Sequence, residues 1–161
     1  ILSGDLLAAH DLTLPPSTLV TTGVWWRIPP VVIERAMVEA RQLGGALHAA
    51  EHAAIGMLPL FAICDRWDVG GVSTAWLEDL NAPAVVIYDG HPGGIGIAEL
   101  AYAATEAQLA ATLETLEQCG CDDGCPSCVQ SPKCGSLNEP LDKLAAARLL
   151  RAFKWGPRLS S

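Results

Sequence analysis

Cys119-Gly-Cys121-Asp-Asp-Gly-Cys125-Pro-Ser-Cys128-Val-Gln-Ser-Pro-Lys-Cys134-Gly135 packs five of the chain's six cysteines into 16 residues. A secreted disulfide scaffold distributes its cysteines to staple the whole chain, whereas this sequence gathers them at one turn and leaves the rest nearly bare. Metal binding is the reading that fits. Cys125-Pro-Ser-Cys128 is a C-x-x-C knuckle, a tight turn that aims two sulfurs at one point with backbone N–H groups directed at them. Structural zinc takes four ligands in a tetrahedron, with sulfur at about 2.3 Å. Five thiols compete for those four places. Cys125 and Cys128 form the knuckle, Cys119 and Cys121 complete the compact set C-x-C-x3-C-x2-C, and Cys134 competes for the fourth place. Four thiolates leave no open position for water, so such a site is structural, not catalytic. Reduced thiols, disulfides and an iron–sulfur cluster are the alternatives.

Working outward, the loop lies between two helical stretches, about Ile97–Glu117 and about Pro140–Lys154. Ala84–Tyr88 (AVVIY) is the clearest buried strand and runs into a glycine-rich turn, Asp89–Gly96. Thr18–Ile28 is rich in β-branched and aromatic residues and reads as a further strand. Helices are expected at Val31–Leu43, ended by Gly44-Gly45, and at Ala46–Leu58. A short strand is expected at Leu60–Cys64, a loop at Asp65–Ser73 and a helical segment at Thr74–Leu80. The sum is an α+β or α/β domain with a small mixed sheet, packed helices and a C-terminal zinc loop. The 161 residues are half apolar and 17% charged, which is the composition of one globular domain. A chain that begins at Ile1 reads as a fragment of something longer. The longest apolar stretch, Ala53–Cys64, spans 12 residues and contains Pro59, short of the roughly 20 a membrane span needs. The expected setting is the cytoplasm, with no membrane partner.

The net charge is −8 and unevenly spread. Residues 1–131 hold four basic and 16 acidic side chains, while residues 132–161 hold six basic and two acidic. Phosphate contacts are therefore expected from the C-terminal end, with Lys133, Lys143, Arg151 and Lys154 as candidates. The last helix sets Leu141, Leu144, Ala145, Leu149, Ala152 and Phe153 on one side. Lys143 and Lys154 are expected opposite and Arg151 on the flank. Arg148 falls on the apolar side, where an acid or a zinc thiolate would partner it.

Three other constellations carry chemistry. His48-Ala-Ala-Glu51-His52 fits H-x-x-E-H, in which histidines one helical turn apart bind zinc and the glutamate acts as base in metallopeptidases. A third ligand would come from Glu99, Glu114 or Glu117; the plainer reading is hydrogen bonding within the fold. Asp89–Gly96 joins a strand to a helix, where glycine N–H groups and the helix N-terminus attract anions such as a DNA phosphate. Its plainer reading is a tight turn needing positive φ. Trp25, Trp26, Trp67 and Trp76 suit either base stacking or core and interface packing.

The segments GCPSCVQSPKCGSLNEPLDKLAAARLL, LHAAEHAAIGMLPLFAICDRWDVGGVS and VIYDGHPGGIGIAEL, in order from about Leu47 to Phe153, resemble the C-terminal zinc-binding domain of mitomycin-repair-factor-like DNA helicases of superfamily two. In that family an ATPase motor precedes this domain. The resemblance implies a non-catalytic zinc module of a helicase used in DNA repair. Its partners would be the motor domains of the same polypeptide and single-stranded DNA. The chain itself lacks G-x-x-x-x-G-K-[ST] and so cannot bind ATP through a P-loop.

Overall fold

The computed structural model describes residues 14–154, the side chain of Lys154 excepted. Its elements run β1 (Gly23–Arg27), α1 (Pro30–Ala36), α2 (Ala40–Met57), β2 (Val69–Leu77), β3 (Ala82–Asp89), α3 (Ile97–Ala103), α4 (Thr105–Gln118) and α5 (Lys143–Lys154), with short 3-10 turns at Leu58–Leu60 and Glu78–Leu80. The class is α+β. The sheet has the order β1-β3-β2, and both pairings are antiparallel rather than mixed.

Register explains the layers. Val24 pairs with Ile87 and Trp26 with Val85, all four buried. Alternation then sends Trp25, Val86 and Val72 to the opposite face, where Trp25 and Val72 are exposed. The inner face packs on α2, whose other sides meet α4 and α5. A helix enclosed all round needs small side chains for close approach, and Ala46, Ala49, Ala50, Ala53 and Ala54 are all essentially buried.

The helix expected to stop at Gly44-Gly45 instead runs through it. The break falls at Met37, in the left-handed conformation with φ 51°. Glu39 then caps α2 through a capping box with Gln42. Glycine inside a helix costs up to about 1 kcal/mol, but Gly45 lets another backbone lie against α2: a side chain there would meet Leu141 and Asp142. The carbonyl of Gly45 accepts the Asp142 N–H at 3.1 Å.

Residues 60–80 reverse the expectation. Leu60–Cys64 is no strand, because Pro59 sits in a 3-10 turn and the N–H groups of Phe61 and Ala62 bond back to Leu58. Residues 65–68 of the expected loop stay a loop and Glu78–Leu80 of the expected helical segment is a 3-10 turn, but Val69–Leu77 between them is β2. Gly70 and Gly71 read as a loop, yet they are strand residues whose Cβ space is occupied by the Tyr88 ring and the Glu51 carboxyl. The long helix expected at Ile97–Glu117 is two, α3 and α4, divided at Ala104.

Candidate metal centre

Cys119 follows directly on α4, and the chain turns at Gly120–Gly124 before the knuckle. The carbonyl of Cys125 accepts N–H groups from Cys128, Val129 and Gln130 at 3.0–3.1 Å, which closes the turn. The Cys125 N–H donates to Cys128 Sγ at 3.3 Å. Gly124 has φ +111°, and a side chain there would collide with Val129. Val129 is itself fully buried, so the knuckle is part of the hydrophobic core.

The turn brings four sulfurs together. Cys119 lies 3.5 Å from both Cys121 and Cys125, Cys121 lies 3.5 Å from Cys128, and Cys125 lies 3.8 Å from Cys128. Sulfurs at the corners of a zinc tetrahedron are about 3.8 Å apart, given the usual Zn–S bond length. The donor set thus fits zinc in number, element and spacing. Cys134 is not among them: its sulfur groups with the ring nitrogens of His48 and His52.

Charge supports the same reading. Burial raises Cys121, but hydrogen bonds from Cys128, Cys119, Lys143 and Cys125 overcome it and bring this thiol down to about 6, while burial pushes Cys128 up to about 12. Adjacent thiolates repel, so a metal-free cluster cannot hold all four ionised. A divalent cation at the centre makes four thiolates compatible and displaces their protons.

Lys143 supplies a second anchor and corrects its expected role. It is 5% exposed, and its Nζ donates to the carbonyls of Cys119 at 2.7 Å and Cys121 at 2.5 Å and to Cys121 Sγ at 3.3 Å. The lysine therefore ties the first residue of α5 to the cysteine turn and offers no ammonium to DNA. Periodicity held the signal, since Lys143 shares spacing i, i+3, i+4, i+7 with Ala146, Ala147 and Leu150, all buried. Lys133 is likewise engaged, donating to the carbonyls of Arg66 and Val69 at 2.9 and 2.8 Å over the Trp67 ring. Arg151 is exposed and paired with Glu117 at 2.6 Å. Lys154 closes α5, but its side chain lies outside the described residues. Among the described residues, Arg148 meets neither acid nor thiolate; it donates to the Ala36 carbonyl and to Gln42.

The peptidase constellation does not assemble. Glu51 is buried, its carboxyl lies over Gly71 of β2, and burial raises its pKa. None of the expected third ligands reaches the histidines: Glu117 pairs with Arg151, Glu114 with Gln118, and Glu99 is exposed on α3. Nor is the glycine turn free for phosphate. Asp89 is fully buried and fills the place itself, accepting N–H groups from Ile95, Gly96, Ile97 and Ala98 at 2.5–3.3 Å. Of the four tryptophans among the described residues, Trp26 is core and Trp25, Trp67 and Trp76 are exposed.

With this geometry in view, residues 50–129 match the family described as "MZB: MrfA Zn-binding domain". An uncharacterised protein of Methanocaldococcus jannaschii is 43% identical over 110 residues, 65% of this chain and 96% of that protein. The chain belongs to the MrfA Zn-binding domain family. The resident metal of this MZB domain is structural zinc, in keeping with the four-sulfur turn. The ATP-dependent helicase HRQ1 of Saccharomyces cerevisiae is 28% identical over 92% of the chain, which spans only 14% of that protein. The crystal structure of the DUF1998 helicase MrfA bound to DNA superposes with a TM-score of 0.73 at 26% identity, over 94% of this chain and 19% of that one. Among the described residues, no helix is long and apolar enough to cross a membrane.

Proposed function

We propose that this MZB domain is a non-catalytic module of a longer ATP-dependent DNA helicase acting in repair. Zinc on Cys119, Cys121, Cys125 and Cys128 locks the turn after α4 to the start of α5, and the module braces the motor domains of the same polypeptide. The observation that carries this is the four-sulfur cluster packed against the core. Residues 1–161 are one domain on this reading, and a compartment that keeps thiols reduced, the cytoplasm, suits the zinc ligands.

Bracing is favoured over guiding single-stranded DNA by where the charges go. Lys133 and Lys143 are spent on backbone carbonyls and Arg151 on Glu117. The outer sheet face instead presents Trp25 and Val72, with Trp76 exposed at the end of the same strand. An apolar face on a module that makes up 14–19% of its helicase relatives suits burial against a neighbouring domain.

The test uses the full helicase. Changing Trp25 and Trp76 to Ser should lower ATP hydrolysis and unwinding together, while Arg151→Ala leaves the salt dependence of DNA binding unchanged. The opposite pattern, normal hydrolysis in the tryptophan variant and a salt slope shallower by close to one unit in Arg151→Ala, would overturn the brace in favour of a DNA guide.

A further inference from the structure

The fifth cysteine of the loop is not idle. His48 and His52 lie one helical turn apart on α2, and their rings approach to 4.3 Å between centroids. Each is oriented through its Nδ1, His48 against the carbonyl of Pro140 at 2.9 Å and His52 against that of Val129 at 2.7 Å. A carbonyl only accepts, so each Nδ1 carries the proton and each Nε2 presents a lone pair. This is how ligating imidazoles are held in metal sites, their other nitrogen tied to a carbonyl or carboxylate. Cys134 Sγ completes the group, 3.3 Å from His48 Nε2, and all three donor atoms lie within 4.8 Å of one another. Ligand nitrogen and sulfur on one tetrahedral zinc are about 3.6 Å apart at usual bond lengths. The sulfur also accepts the Asn138 N–H at 3.2 Å, an interaction that favours thiolate. The three side chains line a cleft of about 600 Å³ between α2, the β2 edge and residues 131–140, which leaves room for a water or another small ligand.

We propose that His48, His52 and Cys134 form a second transition-metal site, for zinc or a similar divalent cation, with one coordination position open to the cleft. Its role is to clamp residues 129–140 onto α2, as the four-sulfur site clamps the other end of the same loop. Binding transfers the Cys134 thiol proton to solvent.

Zinc content and zinc-edge X-ray absorption of the intact chain, prepared with zinc and passed over a weak chelator, test this. The expected result is two zincs per chain and a coordination shell mixing sulfur with imidazole nitrogen. His52→Ala and Cys134→Ser should each lower the content to one, with an all-sulfur shell remaining. One zinc per wild-type chain, or a shell of sulfur alone, overturns the proposal. If either variant fails to fold, the wild-type shell decides by itself. The outcome is separable from the four-sulfur reading, since that site fails only if the all-sulfur zinc is missing.

Discussion

Between Cys119 and Cys128 the loop gathers four sulfurs against the core, with Cys128 buried in it, closed by knuckle hydrogen bonds and by the buried ammonium of Lys143. Six residues on, Cys134 groups instead with two imidazoles beside an open cleft. The same element type serves two environments because the buried Val129 marks the turnover: its side chain enters the core, while its carbonyl orients His52. Cysteine count alone could not separate the two. What separates them is reach, since Cys119 at the end of α4 and Lys143 at the start of α5 bracket one group, and α2 carries the partners of the other.

The comparison predicts unequal consequences for changing each part. Cys128→Ser should have the largest effect. It removes a buried ligand, and because metal binding free energy at such a site is folding free energy, zinc is lost and the melting temperature falls by on the order of 10 °C, equivalent to several kcal/mol at this size. Calorimetry with metal analysis reads both. Unchanged melting and content would erase the distinction between the two ends of the loop.

Lys143→Met should come next. It leaves the Cys119 and Cys121 carbonyls without their donor, and losing charged hydrogen bonds at a buried position costs about 2–3 kcal/mol. Zinc should remain but exchange faster with a chelator. Arg151→Ala should do least, within about 1 kcal/mol, as an exposed ion pair. Equal destabilisation by the two would mean that Lys143 has no special link to the metal turn.

Acid should sharpen the same contrast. The ordinary thiol value is 9.0, and hydrogen bonds overcome burial to bring folded Cys121 to about 6. A group lowered on folding contributes stability that is full above its unfolded value and is lost as pH falls through its folded value. In the metal-free chain this contribution should therefore grow from about pH 6 to pH 9. In the zinc-loaded chain protons compete with the metal, so a chromogenic chelator should see zinc released on acidification and never on moderate alkalinisation. In Lys143→Met release should begin at higher pH, because the lysine no longer stabilises the thiolate.

Legibility followed the same division. The zinc turn could be read because five cysteines in so short a span are too close together to staple a fold and suit metal binding. The strand β3 could be read because AVVIY is a continuous apolar run, and it forms the central strand of the sheet. The strand β2 could not, since Gly70 and Gly71 owe their identity to the Tyr88 ring and the Glu51 carboxyl, side chains distant in sequence. The true start of α2 was present as Glu39-Ala-Arg-Gln42, a capping pair that the more conspicuous Gly44-Gly45 obscured. Lys133 and Lys143 turn inward for a related reason: a basic residue's place in the sequence does not show which carbonyls, distant along the chain, its long side chain reaches. His48 and His52 were found by motif, but their partner in the fold, Cys134, lies 82 residues beyond His52.

The central claim is that Cys119, Cys121, Cys125 and Cys128 suffice for the structural zinc. Zinc-edge X-ray absorption on Cys134→Ser, compared with Cys121→Ser, tests it most directly. The account predicts one zinc bound by four sulfurs in Cys134→Ser and the loss of that all-sulfur zinc in Cys121→Ser. Three sulfurs per zinc in Cys134→Ser, or an intact four-sulfur site in Cys121→Ser, would contradict it.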